Sequence, residues 1–451
     1  MSRLRSAVRD GWSDPVRRNL ILTVGAGLLV QGMLVITGPF LARLLGPAGR
    51  GELAALMLWP VVLVQLGCLG IPAAVTYFVS AGSPWRETIR RGLRFGAWQV
   101  VGLSLAQVAI VLIAFTGRGD EVRDAALVTI AAPTGLLAQE YGQAILQARS
   151  DLKWFNVLRM LPITLFAIAV IAMFVLSAGL VAVTLSWVGA VVLIGVVTLT
   201  FALRRAAPVA APAPSRDAPP GRALASYGIR GILSANSATD IVRPDQIALA
   251  IFLPSRALGI YVVGLAFTNL PYFFAKAIGL VAFPAVARES EPAEARRVAW
   301  RYLWIIIGLA VLIVGLLYAT VAILIPLFFG DEFRDSVGLS YILLAGALFT
   351  AIRRVLAETM RGRGQPGPGT TAEIVALVGL VAAIAVLVPL IGVDGVAVAL
   401  SASQLANFVV LAAIAIHRGE LRRSEAIAGL KRFRPAGPAP PTRPPEAQSG
   451  P

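Results

Sequence analysis

The chain is 451 residues long, 57% hydrophobic and only 14% charged, with a mean hydropathy of +0.78. Soluble domains carry about 25% charged residues, so this composition excludes a soluble enzyme or binding module and indicates an integral membrane protein. The formal net charge of +16 does not indicate nucleic acid, because the basic residues recur in short clusters between apolar spans instead of forming one patch.

Twelve transmembrane helices are predicted, at about 20–45, 52–80, 93–116, 125–148, 154–177, 180–203, 225–253, 258–287, 300–329, 336–360, 371–391 and 394–416. The basic start (Arg3, Arg5, Arg9, Arg17, Arg18) leads into an apolar run too long for a cleavable signal. An even number of spans puts both termini on one side. Thirty Lys and Arg residues fall on that side, Arg353 and Arg354 counted among them, and six on the other, so both termini are expected to be cytoplasmic in a multi-pass cell-membrane protein. Four basic residues lie within spans and are left unexplained by topology: Arg159, Arg230, Arg243 and Lys276.

The loops opposite the termini are too short to hold a soluble catalytic domain. The expected organisation is all-α: a segment 1–19, a six-helix lobe 20–205, a Pro/Ala-rich linker 206–222, a second six-helix lobe 223–417 and a basic, Pro-rich tail 418–451 with an attraction to anionic lipid. A repeat supports two lobes around a central cavity. Gly51 follows Asn19 by 32 residues in LLGPAGRGEL, and Gly259 follows Tyr227 by 32 residues in FLPSRALGIY. Each turn has a Pro (Pro47, Pro254) and an Arg (Arg50, Arg256) before the Gly. Six helices per half make the repeats parallel. GPAGRGE is not a phosphate-binding loop, since no Gly-Lys-Ser/Thr follows it.

The seventh span is the most polar. It carries Arg230, Asn236, Asp240, Arg243 and Asp245, and Pro244 removes the helical partner of the Asp240 carbonyl. At helical spacing Arg230, Ser234, Ser237 and Asp245 share one face, and Asn236, Asp240 and Arg243 another. Asp240 and Arg243 are three apart and are expected to pair along the helix, either as a structural lock or as part of a site. Charge deep in a bilayer costs at least roughly 2.5–3.5 kcal/mol and defaults to a cavity, which makes Arg230 and Lys276 candidate cavity cations. Arg159 either joins them or snorkels. Arg50 is placed at the mouth opposite the termini. In the fourth span Gln139, Gln143 and Gln147 form a stripe that either binds sugar hydroxyls or joins helices. Glu140, Asp240 and Asp245 are candidate H+ or Na+ sites, and Glu373 a weaker one.

Several segments resemble the oligosaccharide and polysaccharide flippase branch of the multidrug/oligosaccharidyl-lipid/polysaccharide exporter superfamily. They are RLLGPAGRGE (Arg43–Glu52), YGIR (Tyr227–Arg230), VRPDQIAL (Val242–Leu249), ALGIYVVGLAF (Ala257–Phe267), FPAVAR (Phe283–Arg288), IPLFFGDEF (Ile325–Phe333), MRGRGQP (Met360–Pro366) and VPLIGVDGVAVA (Val388–Ala399). The resemblance implies a two-lobed bundle that moves a polyprenyl-(pyro)phosphate-linked glycan from the inner to the outer leaflet by alternating access.

The residues agree with that implication: a large anion on a greasy tail needs a wet cavity lined by cations, and Arg pairs phosphate oxygens with a planar fork. A cation-coupled multidrug or metabolite exporter is the alternative, and it would favour acidic and aromatic cavity residues. A glycan-transferring enzyme would need a large catalytic loop, and a scaffold for envelope assembly is the remaining reading. No cofactor, metal or nucleotide is expected. The expected partners are the lipid-linked glycan, membrane lipids and glycan polymerase or glycosyltransferase machinery, with the chain acting as a monomer.

Overall fold

Proline and glycine decide where long apolar helices stop, because a 53-residue helix would run ~80 Å at 1.5 Å per residue, far beyond a hydrocarbon core of ~30 Å. The computed structural model describes residues 15–149, 151–205, 217–235, 238–365, 367–421 and 425. The first helix, α1 (Pro15–Gly67), breaks at Gly46 (φ 63°, ψ 179°), a geometry that needs glycine, and Pro47 restarts the helix. The first span thus ends at Gly46 and the second starts there. The second is completed by α2 (Ile71–Ser80), after left-handed residues at Leu69 and Gly70.

The third span is α3 (Trp85–Ala114), and the fourth is assembled from α4 (Asp120–Val128), a 3-10 turn and α5 (Ala132–Ala148). The fifth and sixth are α6 (Leu152–Val175) and α7 (Leu180–Arg205). The seventh comes in three pieces, α8 (Gly221–Ala235), α9 (Ala238–Val242) and α10 (Pro244–Phe252). The eighth combines α11 (Ser255–Ala266) and α12 (Asn269–Ala287), and α13 (Pro292–Phe329) and α14 (Ser336–Gly362) are the ninth and tenth. The last helix, α15 (Gly367–His417), breaks at Ile391 and Gly392 into the final two. Eight helices are long and apolar enough to cross a membrane, and no strand occurs among the described residues. With the two broken helices counted twice and the two composite spans added, the twelve expected spans are all present.

Within the first half α5 packs on α7, and α6 on α1 and α7; within the second, α14 packs on α12, α13 and α15. The outside of the bundle is apolar: Trp98 is 78% and Ile113 84% exposed. In lipid such side chains meet hydrocarbon and need no protein partner.

The halves join along the first part of α1, which packs on α12 and α13, and at two further places. On the face away from the termini the turn after Gly46 is pressed against the start of α11, where Gly51 and Gly259 approach backbone to backbone. A polar clasp closes over this joint. Arg118 donates to Glu52 at 2.9 Å and to the carbonyl of Ala250 at 2.8 Å, and Ser255 donates to Glu52. Nearer the termini α2 meets α8, with Gly70 against the Gly228 carbonyl and the Tyr77 and Tyr227 rings stacked at 4.4 Å. The linker at 206–216 and most of the tail lie outside the described residues.

Candidate functional site

Four charged residues sit at similar depth in the two halves. Counting residues from the helix ends nearest the termini, Arg159, Glu140, Lys276 and Arg354 lie ~10–16 Å inside. Arg159 and Glu140 belong to α6 and α5 in the first half, Lys276 and Arg354 to α12 and α14 in the second. α6 packs on α1, α5 and α7, whereas α12 packs mainly on α13 and α14, touching α1 at its start. Yet the charges that act on Lys276 are those of Arg354, Arg159 and Asp240, so the two walls face each other across a gap. Arg159, Asp240 and Lys276 are exposed there, and Glu140 is exposed as well, in a chain whose lipid-facing surface is apolar.

Asp240 is the acidic member of this cluster. Its Oδ2 accepts a hydrogen bond from the Tyr272 hydroxyl at 3.1 Å, and the charges of Arg354 and Arg353 reach the same hydroxyl. The ion pair expected between Asp240 and Arg243 is not formed. The helix breaks at Arg243, which takes a left-handed conformation (φ 48°) before Pro244, so i,i+3 spacing no longer brings the side chains together. Arg243 Nε instead donates to the Asp240 backbone carbonyl at 3.4 Å, the acceptor orphaned by the proline.

Arg354 is a charge within a span that the sequence reading missed, because it was counted with a loop. It lies inside α14, where its Nη2 is 3.3 Å from Glu358, a carboxylate it shares with Arg361 at 3.0 Å. Its Nε is buried with no hydrogen-bond partner among the described residues. Its neighbour Arg353 was also counted with that loop, yet it is buried and paired with Glu373 at 2.6 Å. Two adjacent arginines, Arg353 and Arg354, within the span predicted at 336–360 were the available signal.

The remaining candidates fall elsewhere. Asp245 is buried inside the second half, accepting a hydrogen bond from Tyr261 at 2.7 Å, away from the charged walls. Gln139 joins helices, donating to the Leu158 carbonyl at 3.0 Å and accepting from Thr198 at 2.9 Å. Gln143 is buried with its amide nitrogen unpartnered among the described residues. Arg50 is half-buried at the Gly51–Gly259 joint, with an unpartnered Nε. Arg230 lies in α8, but its side chain, like all of Asn236 and Ser237, is outside the described residues. The described residues contain no group of three side chains fit to hold a metal.

Comparison with solved structures places this architecture. The chain superimposes on the lipid II flippase MurJ in an inward closed conformation with a TM-score of 0.68, at 14% identity over 91% of each chain. It matches an inward-facing multidrug resistance MATE family transporter of the MOP superfamily at 0.66, with 15% identity over 92% of this chain and 100% of that one. An outward-facing conformation of such a transporter gives 0.56 at 15% identity, over 90% of this chain and 96% of that one. At such identities the likeness is one of fold, the multi-helix bundle of membrane transporters. No curated protein sequence matches the chain. The profile of the polysaccharide biosynthesis protein family matches residues 16–290, more than half of the sequence. A multi-pass bundle of this fold carrying that profile is a membrane protein of the polysaccharide biosynthesis protein family, and the chain belongs to it.

Proposed function

We propose that the protein flips a lipid-linked oligosaccharide or polysaccharide repeat unit, held by its phosphate or pyrophosphate, from the cytoplasmic to the outer leaflet by alternating access. The observation that carries this reading is the placement of Arg159, Lys276 and Arg354 at one depth in the two halves, with Asp240 the acid among the charges that reach Lys276. Cations from both halves converge where an anionic headgroup would pass, and the cost of holding them there is offset when phosphate arrives. The joint at Gly51–Gly259 closes the far face, so the headgroup enters from the side of the termini. The excess of basic residues on that side makes it cytoplasmic. Asp240, beside Lys276, and the exposed Glu140 are then the acids available for coupling to H+ or Na+.

The test is reconstitution of the full chain into vesicles holding a fluorescent polyprenyl-pyrophosphate glycan. Charged hydrogen bonds contribute about 1.5–3 kcal/mol, so Arg159→Gln, Lys276→Gln and Arg354→Gln should each slow flipping about tenfold or more. Lys276→Arg should retain most of it. Unchanged flipping in all three Gln variants would sink the proposal. Efflux of cationic dyes by a wild-type protein that leaves the glycan lipid in place would instead establish the multidrug reading.

A further inference from the structure

A shallow, open groove of about 410 Å³ lies on the outer surface of the first half, between α3 and the end of α7 nearest the termini. Its floor is apolar, formed by Trp85, Ile89, Leu93, Ala97 and Leu203, and its rim is Arg86, Arg90 and Arg94. The three arginines are exposed, and none has an ion pair with a carboxylate among the described residues. Lys153, Arg204, Arg222 and Arg288 on this side also lack such a pair, but Arg86, Arg90 and Arg94 line one helix face over an apolar floor, and other arginines here are neutralised. Arg91 pairs with Glu87, Arg205 with Asp151, Arg296 with Glu425, Arg297 with Glu294 and Arg363 with Glu420.

The face on which they sit belongs to the lipid. At helical spacing Arg86, Arg90, Arg94, Ala97, Val101 and Leu105 fall within about 100° of one another. Val101 is 53% and Leu105 65% exposed, and Trp98, beside them, more so. The arginines therefore mark the level at which this lipid-facing surface meets the headgroups, with an apolar path running from them along the same helix. The first turn of α3 adds to the attraction. It has no side-chain cap, so its free N–H groups and the positive end of the helix dipole point the same way.

We infer that this groove binds an anionic phospholipid bearing two phosphates, of the cardiolipin type. Its headgroup lies on Arg86, Arg90 and Arg94, and an acyl chain follows Leu93, Ala97 and Val101. Two phosphates match better than one, because Arg86 and Arg94 are ~12 Å apart along the axis and a single phosphate reaches only neighbouring arginines. Basic pockets between transmembrane helices on the cytoplasmic side bind such headgroups through the same chemistry. The site is remote from the gap between the halves, so it stands whether or not the flippase reading does.

Native mass spectrometry of the purified full chain, titrated with cardiolipin, phosphatidylglycerol or phosphatidylcholine, tests this directly. We expect one saturable cardiolipin, with phosphatidylglycerol weaker and phosphatidylcholine absent. The variant R86Q/R90Q/R94Q should weaken cardiolipin binding about tenfold or more, whereas R123Q/K153Q/R288Q, which removes as many exposed charges elsewhere, should leave it intact. Equal weakening in both triple variants, or binding that rises with anionic lipid without saturating, would reduce the arginines to general membrane attraction and overturn the inference. So would displacement of the bound lipid by polyprenyl pyrophosphate, which would make the occupant the transport substrate.

Discussion

A β-carbon on Gly259 would lie 2.0 Å from the carbonyl oxygen of Pro47, and one on Gly51 1.7 Å from that of Ser255. The same two glycines hold equivalent places in the repeated turns of the two halves. The repeat therefore brings its own matching positions face to face, and the joint closes only because neither position has a side chain. Backbone, unlike a flexible side chain, has no easy way to yield.

Gly51→Ala or Gly259→Ala should therefore force the joint apart. An overpacking cost of about 1–3 kcal/mol would disfavour the closed far face by roughly 5- to 150-fold. In a Cys68→Ala background, Ser255→Cys should react faster with a membrane-impermeant maleimide once either alanine is present.

The clasp over this joint should act in the same direction but more weakly. Arg118→Gln removes the ion pair with Glu52 and the bond to the Ala250 carbonyl. On the order of 1–2 kcal/mol is expected from two partly buried hydrogen bonds. The same labelling assay should show a smaller rise than with either glycine variant.

The Arg353–Glu373 pair offers a stability test. Both side chains are less than a tenth exposed, and their nitrogen and oxygen are 2.6 Å apart. Glu373→Leu leaves a buried guanidinium without that partner, a loss of about 3–5 kcal/mol that should appear as a large fall in Tm in detergent. The double variant R353M/E373L should recover most of it, because replacing both members of a buried pair by apolar groups is often neutral.

At the end of the chain Arg296 binds Glu425 through two bonds of 2.6 and 2.8 Å, and Arg363 binds Glu420 at 2.9 Å. A chain ending at Glu425 should melt like the full-length protein. One ending at His417 loses both pairs and should melt several degrees lower, by differential scanning fluorimetry, since charged hydrogen bonds each contribute about 1.5–3 kcal/mol.

How much of this was legible in the sequence depended on distance along the chain. The twelve spans were visible because each apolar run is local, and Pro47, Pro244 and Pro254 marked breaks by chemistry that acts on neighbours alone. Lys276, Arg159 and Asp240 were visible as charges without an excuse. Arg354 was not, because a rule that assigns basic clusters to loops absorbed it. The contacts that give these residues meaning join positions far apart: Tyr272 with Asp240, Arg118 with Ala250, Gly51 with Gly259. The Asp240–Arg243 pairing failed for a different reason. It assumed an unbroken helix through the one place where proline and a left-handed residue interrupt it.

The three-piece seventh span carries a last consequence. Its α8 portion packs on α2 and α3 of the first half, while α9 and α10 lie against α15 of the second half as well as α1 of the first. If the halves rock, α8 is held by the first alone and the rest of the span is shared between both, so the twist between them has few places to go. Arg243, already left-handed and next to the Asp240 carbonyl that Pro244 leaves without a helical partner, is where that torsion would collect. The neighbouring Asp240 would then swing with every stroke.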